Sequence, residues 1–220
     1  FPPGGSVSDA RLVEEVRQSR GDRLAFTSGV VRDVLYGELS RRNRRSLHRK
    51  YAELLEKRNA GRPDGAHALL VHHFSEGDMP EKTVQYALMH ARKALETFSP
   101  EDALRSTKTA LAFLDAEWEG DRAVEGEVRA LLAAAHRMAG NTGRAIEQYD
   151  AAAAIFERQG HVPQGIELKL AAAETTWQAR RSDETICRVE AGIESSRSAG
   201  QDESLRKFLH LAATVANMGG

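Results

Sequence analysis

Apolar and polar positions along this chain keep a helical beat that returns after a fixed interval. Leu104, Thr107, Leu111 and Leu114 are matched forty-two positions later by Ile146, Tyr149, Ala153 and Phe156, and less completely by Ile186, Val189 and Ile193. Such offsets put the side chains of each set on one stripe of a 3.6-residue helix, and a period near forty leaves room for a second helix per repeat. One helix pair cannot bury its own apolar stripe, so neighbouring pairs must share a core. The pattern predicts an all-α chain of antiparallel helix pairs, with the 104, 146 and 186 stripes facing that core.

The same periodicity places helices over Arg122 to Ala139, Thr142 to Arg158, Pro163 to Arg180, Asp183 to Ser198 and Asp202 to Met218. Gly140-Asn141, Gly160, Arg181-Ser182 and Gly200 break them. Upstream, Ser8 and Asp9 read as caps ahead of a helix through Leu12, Val13 and Val16, and Leu24 to Thr27 reads as a strand. Helices come next over Val30 to Leu39, from Ser40 through Leu47, Tyr51, Leu54 and Leu55, then Ala66 to Glu76 and Pro80 to Phe98. Ser99-Pro100-Glu101-Asp102 restarts the chain as a helix, with serine at the N-cap and acids opposing the helix dipole. Alanine runs at 133 to 135, 151 to 154 and 171 to 173 let helices approach closely. Trp177 extends the Ile166, Leu170 and Ala173 stripe and is expected to be largely buried. Leu205, Phe208, Ala212 and Val215 form a last stripe, read as the first helix of a repeat whose second helix is missing. Its uncovered apolar side is expected to favour self-association.

Charge then narrows the picture. In 220 residues the hydrophobic fraction is 41%, enough for a core, and the formal net charge of −1 gives no global pull toward nucleic acid or an anionic membrane. Cys187 cannot form an internal disulfide, and its place beside Ile186 suggests a buried thiol in a reducing cytoplasm. No apolar run approaches the ~20 residues of a membrane span.

The segment from Ala133 to Ala153 resembles a tetratricopeptide repeat, with Ala133, Gly140, Ala145, Tyr149 and Ala152 at that family's small, turn and aromatic positions. A second resemblance lies in Phe26, Arg32 and Tyr36, together with Arg45, Leu47 and His48. These look like the junction between winged-helix region and helical repeats in STAND-type signalling ATPases, such as LuxR-type regulators and proteins with kinase or cyclase modules. The helices from Ala66 to Leu114, with His72-His73-Phe74 before the Gly77-Asp78 turn, resemble the helices downstream of that junction in the same family. The resemblances imply a right-handed tetratricopeptide-like solenoid. Residues 1–40 would be a linker and the end of a winged-helix-like region, 41–98 a helical junction, and 99–220 repeats truncated at the C-terminus. Many members have histidine where this chain has Ser28, and serine weakens any nucleotide contact there. No phosphate-binding G-x-x-x-x-G-K-[ST] loop occurs, so the ATPase module of such a parent would lie upstream.

Candidate chemistry is sparse. Arg41, Arg42, Arg44, Arg45, Arg49 and Lys50 make the most basic run, and invite an alternative reading as a nucleic-acid-binding helix. Leu47 and Tyr51 on the same helix are read as a buried stripe, which favours charges solvated or paired with acids such as Asp33 and Glu38. His72 and His73, near His67, Glu76 and Asp78, raise the question of a metal. Adjacent helix positions diverge by about 100°, and no second spaced pair of Cys or His completes a ligand set, so no cofactor or metal is expected. His48, His90 and His136 read as single packed histidines. No G-x-S-x-G turn or carboxylate dyad suggests an enzyme, and neither ATP hydrolysis nor stoichiometric zinc is expected. The tetratricopeptide resemblance instead puts Ala130, Ala134 and Arg137, with Ala171, Thr175 and Gln178, on an inner groove. There small residues leave room for a protein or peptide partner, or for a neighbouring domain, and Arg137 and Gln178 offer hydrogen bonds. The reading is a non-catalytic interaction or effector-sensing module of a cytoplasmic regulator.

Overall fold

The computed structural model of the protein describes residues 12–15, 24–60, 66–114, 118 and 120–218. Two short strands come first, β1 (Val13–Glu15) and β2 (Leu24–Phe26), paired antiparallel with Val13 opposite Phe26. Thr27 closes the hairpin, its backbone N–H and its hydroxyl both donating to the Leu12 carbonyl. The strand expected at Leu24 is present, but Val13 lies in a strand and not in the expected helix. Cross-strand pairing of β-branched Val13 with Phe26 overrides the apolar spacing. Among the described residues a two-stranded hairpin followed by one short helix over 29–38 stands where a winged-helix remnant was expected, and this does not support one.

Ten helices come after it among the described residues: α1 (Gly29–Glu38), α2 (Arg41–Asn59), α3 (His67–Glu76), α4 (Pro80–Glu96), α5 (Pro100–Phe113), α6 (Ala123–Met138), α7 (Thr142–Arg158), α8 (Val162–Gln178), α9 (Ser182–Ser198) and α10 (Asp202–Met218). From α2 to α10 each packs against its neighbours in sequence, an arrangement compatible with a helical solenoid, and α4 also meets α6 as α8 meets α10. Ser40 caps α2, its hydroxyl accepting from the Asn43 N–H. Ser99 makes no such cap, although Pro100, Glu101 and Asp102 open α5 as expected.

The repeat is set by its turns. Asp78, Phe98, Gly140, Gly160, Arg180 and Gly200 all adopt positive φ, between 55° and 79°. In each, the left-handed residue donates to the carbonyl three positions back, and the next N–H reaches five back. Gly140 N–H meets Arg137 O at 3.0 Å and Asn141 N–H meets His136 O at 2.8 Å. This pair of hydrogen bonds satisfies carbonyls left free at a helix end, and the residue after it starts the next helix. Steps of twenty residues separate these turns, except across the α5–α6 connection, where Phe98 to Gly140 is forty-two. The change from a forty-two to a forty-residue interval between apolar stripes therefore comes from two extra residues in that connection.

The core runs as a chain of clusters between successive helices. Val71, Val84, Ala87, Leu88, Ala110, Leu114 and Val128 form one, and Ile166, Leu170, Ala173, Val189, Phe208, Leu211 and Val215 another. Near the N-terminal end, Phe74 is fully buried and stacks on Tyr86 at 5.5 Å, while Glu56 accepts from both Lys82 and Tyr86 at 2.6 Å. Those two bonds tie α2 to α4. Ile146 faces the core as expected, but Ile186 is 44% exposed and Trp177 only half-buried, and Cys187 lies on the surface. Leu47 and Tyr51 are each 51% exposed, which corrects the buried stripe expected in α2.

Candidate functional site

The exposed apolar residues near the C-terminal end arise from how two helix seams are filled. At the α7–α8 seam the residues are small. A Cβ on Gly165 would come within 3.3 Å of the Ala153 carbonyl, and Ala133, Ala145, Tyr149 and Ala172 close over the same stretch. Forty residues on, Leu205 stands in place of Gly165 and Phe208 in place of Leu168, facing Gly192 where the earlier repeat has Ala152. Phe208 is fully buried, and a Cβ on Gly192 would lie 2.2 Å from its ring. The ring occupies a notch that only glycine leaves open, and the α9 and α10 backbones approach closely at fewer positions than those of α7 and α8.

An apolar groove of 770 Å³ opens there, lined by Trp177 of α8, Ile186, Val189 and Ile193 of α9, and Ala212 and Val215 of α10. Asp183 and Glu190 stand exposed on its rim. Two cations beside it are engaged: Arg188 binds Asp150 through two bonds, at 2.7 and 2.9 Å, and also Glu184, while Arg181 reaches Glu184. These bonds raise the Arg188 pKa, its Asp150 bond most, and hold the Glu184 carboxyl below its usual range, the Arg188 bond most. The groove therefore combines an apolar floor with an acidic edge.

The positions expected to form an inner groove offer less. Ala130, Ala134 and Ala171 are half-buried, and Gln178 is exposed. Arg137 is drawn across to Glu174 at 3.8 Å and lies 5.9 Å above the Tyr149 ring. Thr175 is fully buried, its hydroxyl donating to Ala171 O at 2.7 Å, so it presents nothing to a ligand. This corrects its place in the groove: α8 turns that position into its packed side.

The basic run of α2 is partly consumed within the fold. Arg45 pairs with Asp78 at 3.0 Å, Arg49 donates to the Gly77 and Asp78 carbonyls, and Arg44 sits 5.6 Å over the Tyr36 ring. Asp33, expected to pair with the run, pairs with Arg32 instead. Arg41 and Arg42 remain exposed.

A second site lies between α2 and α3. His48 is buried, and its Nδ1 is 2.8 Å from Nδ1 of His73; on its other side its Nε2 is 2.8 Å from the Tyr36 hydroxyl. His72 joins them, so that His48, His72 and His73 hold a ligand nitrogen each within 4.8 Å of one another. Tyr51 packs edge-on against His73 at 4.6 Å. Burial, then the neighbouring His72 and His48, push the His73 pKa down to about 4, against the opposing charge of Glu76. Burial likewise lowers His48. Reading His48 as a single packed residue missed this cluster, because its partners come from a helix twenty-five residues away. A histidine on one helix and a His-His pair on the next in sequence was the available signal.

A scan against protein-family models and a search of curated proteins each returned no match.

Proposed function

We propose that the chain is a non-catalytic interaction module, a tetratricopeptide-like right-handed solenoid in a cytoplasmic regulator, whose α8–α10 groove takes an amphipathic helix of a protein partner. The observation that carries this reading is the groove itself. Its apolar floor accepts side chains at i, i+3 or i+4 and i+7 of a bound helix, and the acidic rim at Asp183 and Glu190 favours lysine or arginine flanking them. Exposed Ile186 is the natural anchor contact, since it lines one groove with Trp177, Val189, Ile193 and Val215, and a contiguous apolar patch marks a binding site. The likeness of 26–48 to a STAND-type junction supports placing the module in a larger signalling chain. There a partner bound at one end biases how the module docks on its neighbours.

The test uses two synthetic helical peptides of about 18 residues, both with leucine at the i, i+3, i+4 and i+7 positions, one flanked by lysine and one by glutamate. Trp177 emission in a Trp118→Phe background reports occupancy. The lysine peptide is expected to shift the emission saturably, the glutamate peptide to bind at least tenfold more weakly, and Ile186→Asp to abolish the shift. Equal binding of both peptides, or binding that survives Ile186→Asp, contradicts the proposal.

A further inference from the structure

We propose that His48, His72 and His73 form a zinc site that clamps α2 to α3. Three imidazoles from two packed helices cluster, with a ligand nitrogen of each within 4.8 Å of the others. The 2.8 Å separation of the His48 and His73 Nδ1 atoms means that they share one proton between two lone pairs. A Zn²⁺ ion bonded to both at about 2.0–2.1 Å replaces that proton, standing to one side of the line between the nitrogens, and tetrahedral bonding spreads them to roughly 3.3 Å. For that pair the shift is about half an ångström, and the His72 nitrogen, within 4.8 Å of both, comes in by rotation of its exposed side chain.

The surroundings fit such an ion. Nitrogen-only donors of this kind suit zinc, copper or nickel and not magnesium or calcium, and availability favours zinc. The Tyr36 hydroxyl lies 2.8 Å from the far nitrogen of His48, and in the tautomer that carries its proton on Nε2 it accepts that N–H and leaves the Nδ1 lone pair for a metal. A partner on the second ring nitrogen is what orients a metal-bound histidine. Glu76 lies one helical turn beyond His72, and its negative charge acts on both His48 and His73. It offsets part of the ion's charge, while exposed His72 leaves the fourth position open to water. Three protein ligands and one water is a coordination that zinc adopts readily.

Titration of the full chain, stripped with EDTA, with ZnCl₂ followed by calorimetry tests the site. CoCl₂ is titrated in parallel for the visible bands of four-coordinate cobalt. One zinc per chain with a Kd tighter than about 10 μM is expected, together with a rise in Tm and tetrahedral cobalt bands. His72→Ala removes an exposed ligand without touching the packed core and is expected to weaken binding more than tenfold. Tyr36→Phe is expected to weaken binding by about tenfold or more through loss of ring orientation. His210→Ala, on the exposed face of α10, is expected to change nothing. Circular dichroism confirms that each variant is folded. Absence of saturable binding to the wild-type chain, or unchanged stoichiometry and affinity in folded His72→Ala, overturns the proposal and leaves a histidine pair that only packs. Neither result bears on the groove, which lies on other helices.

Discussion

The α7–α8 and α9–α10 seams are built on the same repeat, yet one is sealed and the other open. In the first, Gly165 and the alanines of both helices let the backbones close. In the second, Leu205 and Phe208 sit at the matching places, Gly192 accepts the Phe208 ring, and an apolar groove remains beside it. Helix length and turn geometry hardly differ between them. Each helix spans seventeen residues, and both α7 and α9 end on a glycine turn. The difference teaches that side-chain volume at two or three seam positions decides whether a repeat is closed structure or binding surface.

Removing the wedge breaks the contrast most severely. Phe208→Ala is expected to destabilise the chain by ~3–5 kcal/mol through lost burial and a cavity. Gly192→Ala forces a Cβ against the same ring and should cost about 1–3 kcal/mol by overpacking. In the Phe208→Ala background, Gly192→Ala should lose most of that cost, because the atoms it meets are gone. Denaturant unfolding of the four variants measures this coupling, and additive effects would mean that the ring and the glycine act separately.

The turns give a smaller and more even effect. Gly160→Ala, before α8, and Gly200→Ala, before α10, should each cost about 1–2 kcal/mol, since both positions hold positive φ. At Arg180, the left-handed turn before α9, glycine should stabilise by about 0.5 kcal/mol, the strain relieved being partly offset by chain entropy. Equal costs at the two glycines would confirm that the seams differ in packing alone.

The smallest effect concerns pH. His136 of α6 is buried with its Nδ1 unpartnered among the described residues, and burial lowers its pKa, reinforced by Arg144 of α7 and Lys108 of α5 against Glu147 of α7. Its folded pKa thus lies below the unfolded value near 6.5, and the unfolded chain takes up the proton first. This contribution to stability is complete above about pH 6.5 and is lost as pH falls through the folded pKa. His136→Gln should flatten the acid side of a plot of Tm against pH measured in EDTA, with little change at pH 8.

Much of this was legible in the chain. The helices from α6 to α10 begin and end within about two residues of the positions read from apolar spacing and glycine breaks, because local periodicity fixes them. The Leu205, Phe208, Ala212 and Val215 stripe was visible too, with Phe208 and Val215 buried. Burial across seams was harder to read. Trp177 and Ile186 belong to apolar stripes but lie at the groove, since their cover depends on how α10 packs against α8 and α9, which the spacing within one helix does not encode. Thr175 was misplaced for the same reason in reverse: its small side chain fits inside the sealed seam. The histidine cluster was invisible to a search for spaced ligands along one helix, because helix pairing brings His48 to His73.

Amide hydrogen–deuterium exchange with and without the lysine-flanked peptide tests most directly that function sits in the open seam. Without peptide, exchange in α9 and α10 should exceed that in α7 and α8, in keeping with their thinner packing. With peptide, protection should appear in 182–193 and 208–216 and leave 123–138 unchanged. Protection centred on Ala130, Ala134 and Arg137, with α9 and α10 unaffected, would place binding on the inner face of the sealed repeat and contradict the account.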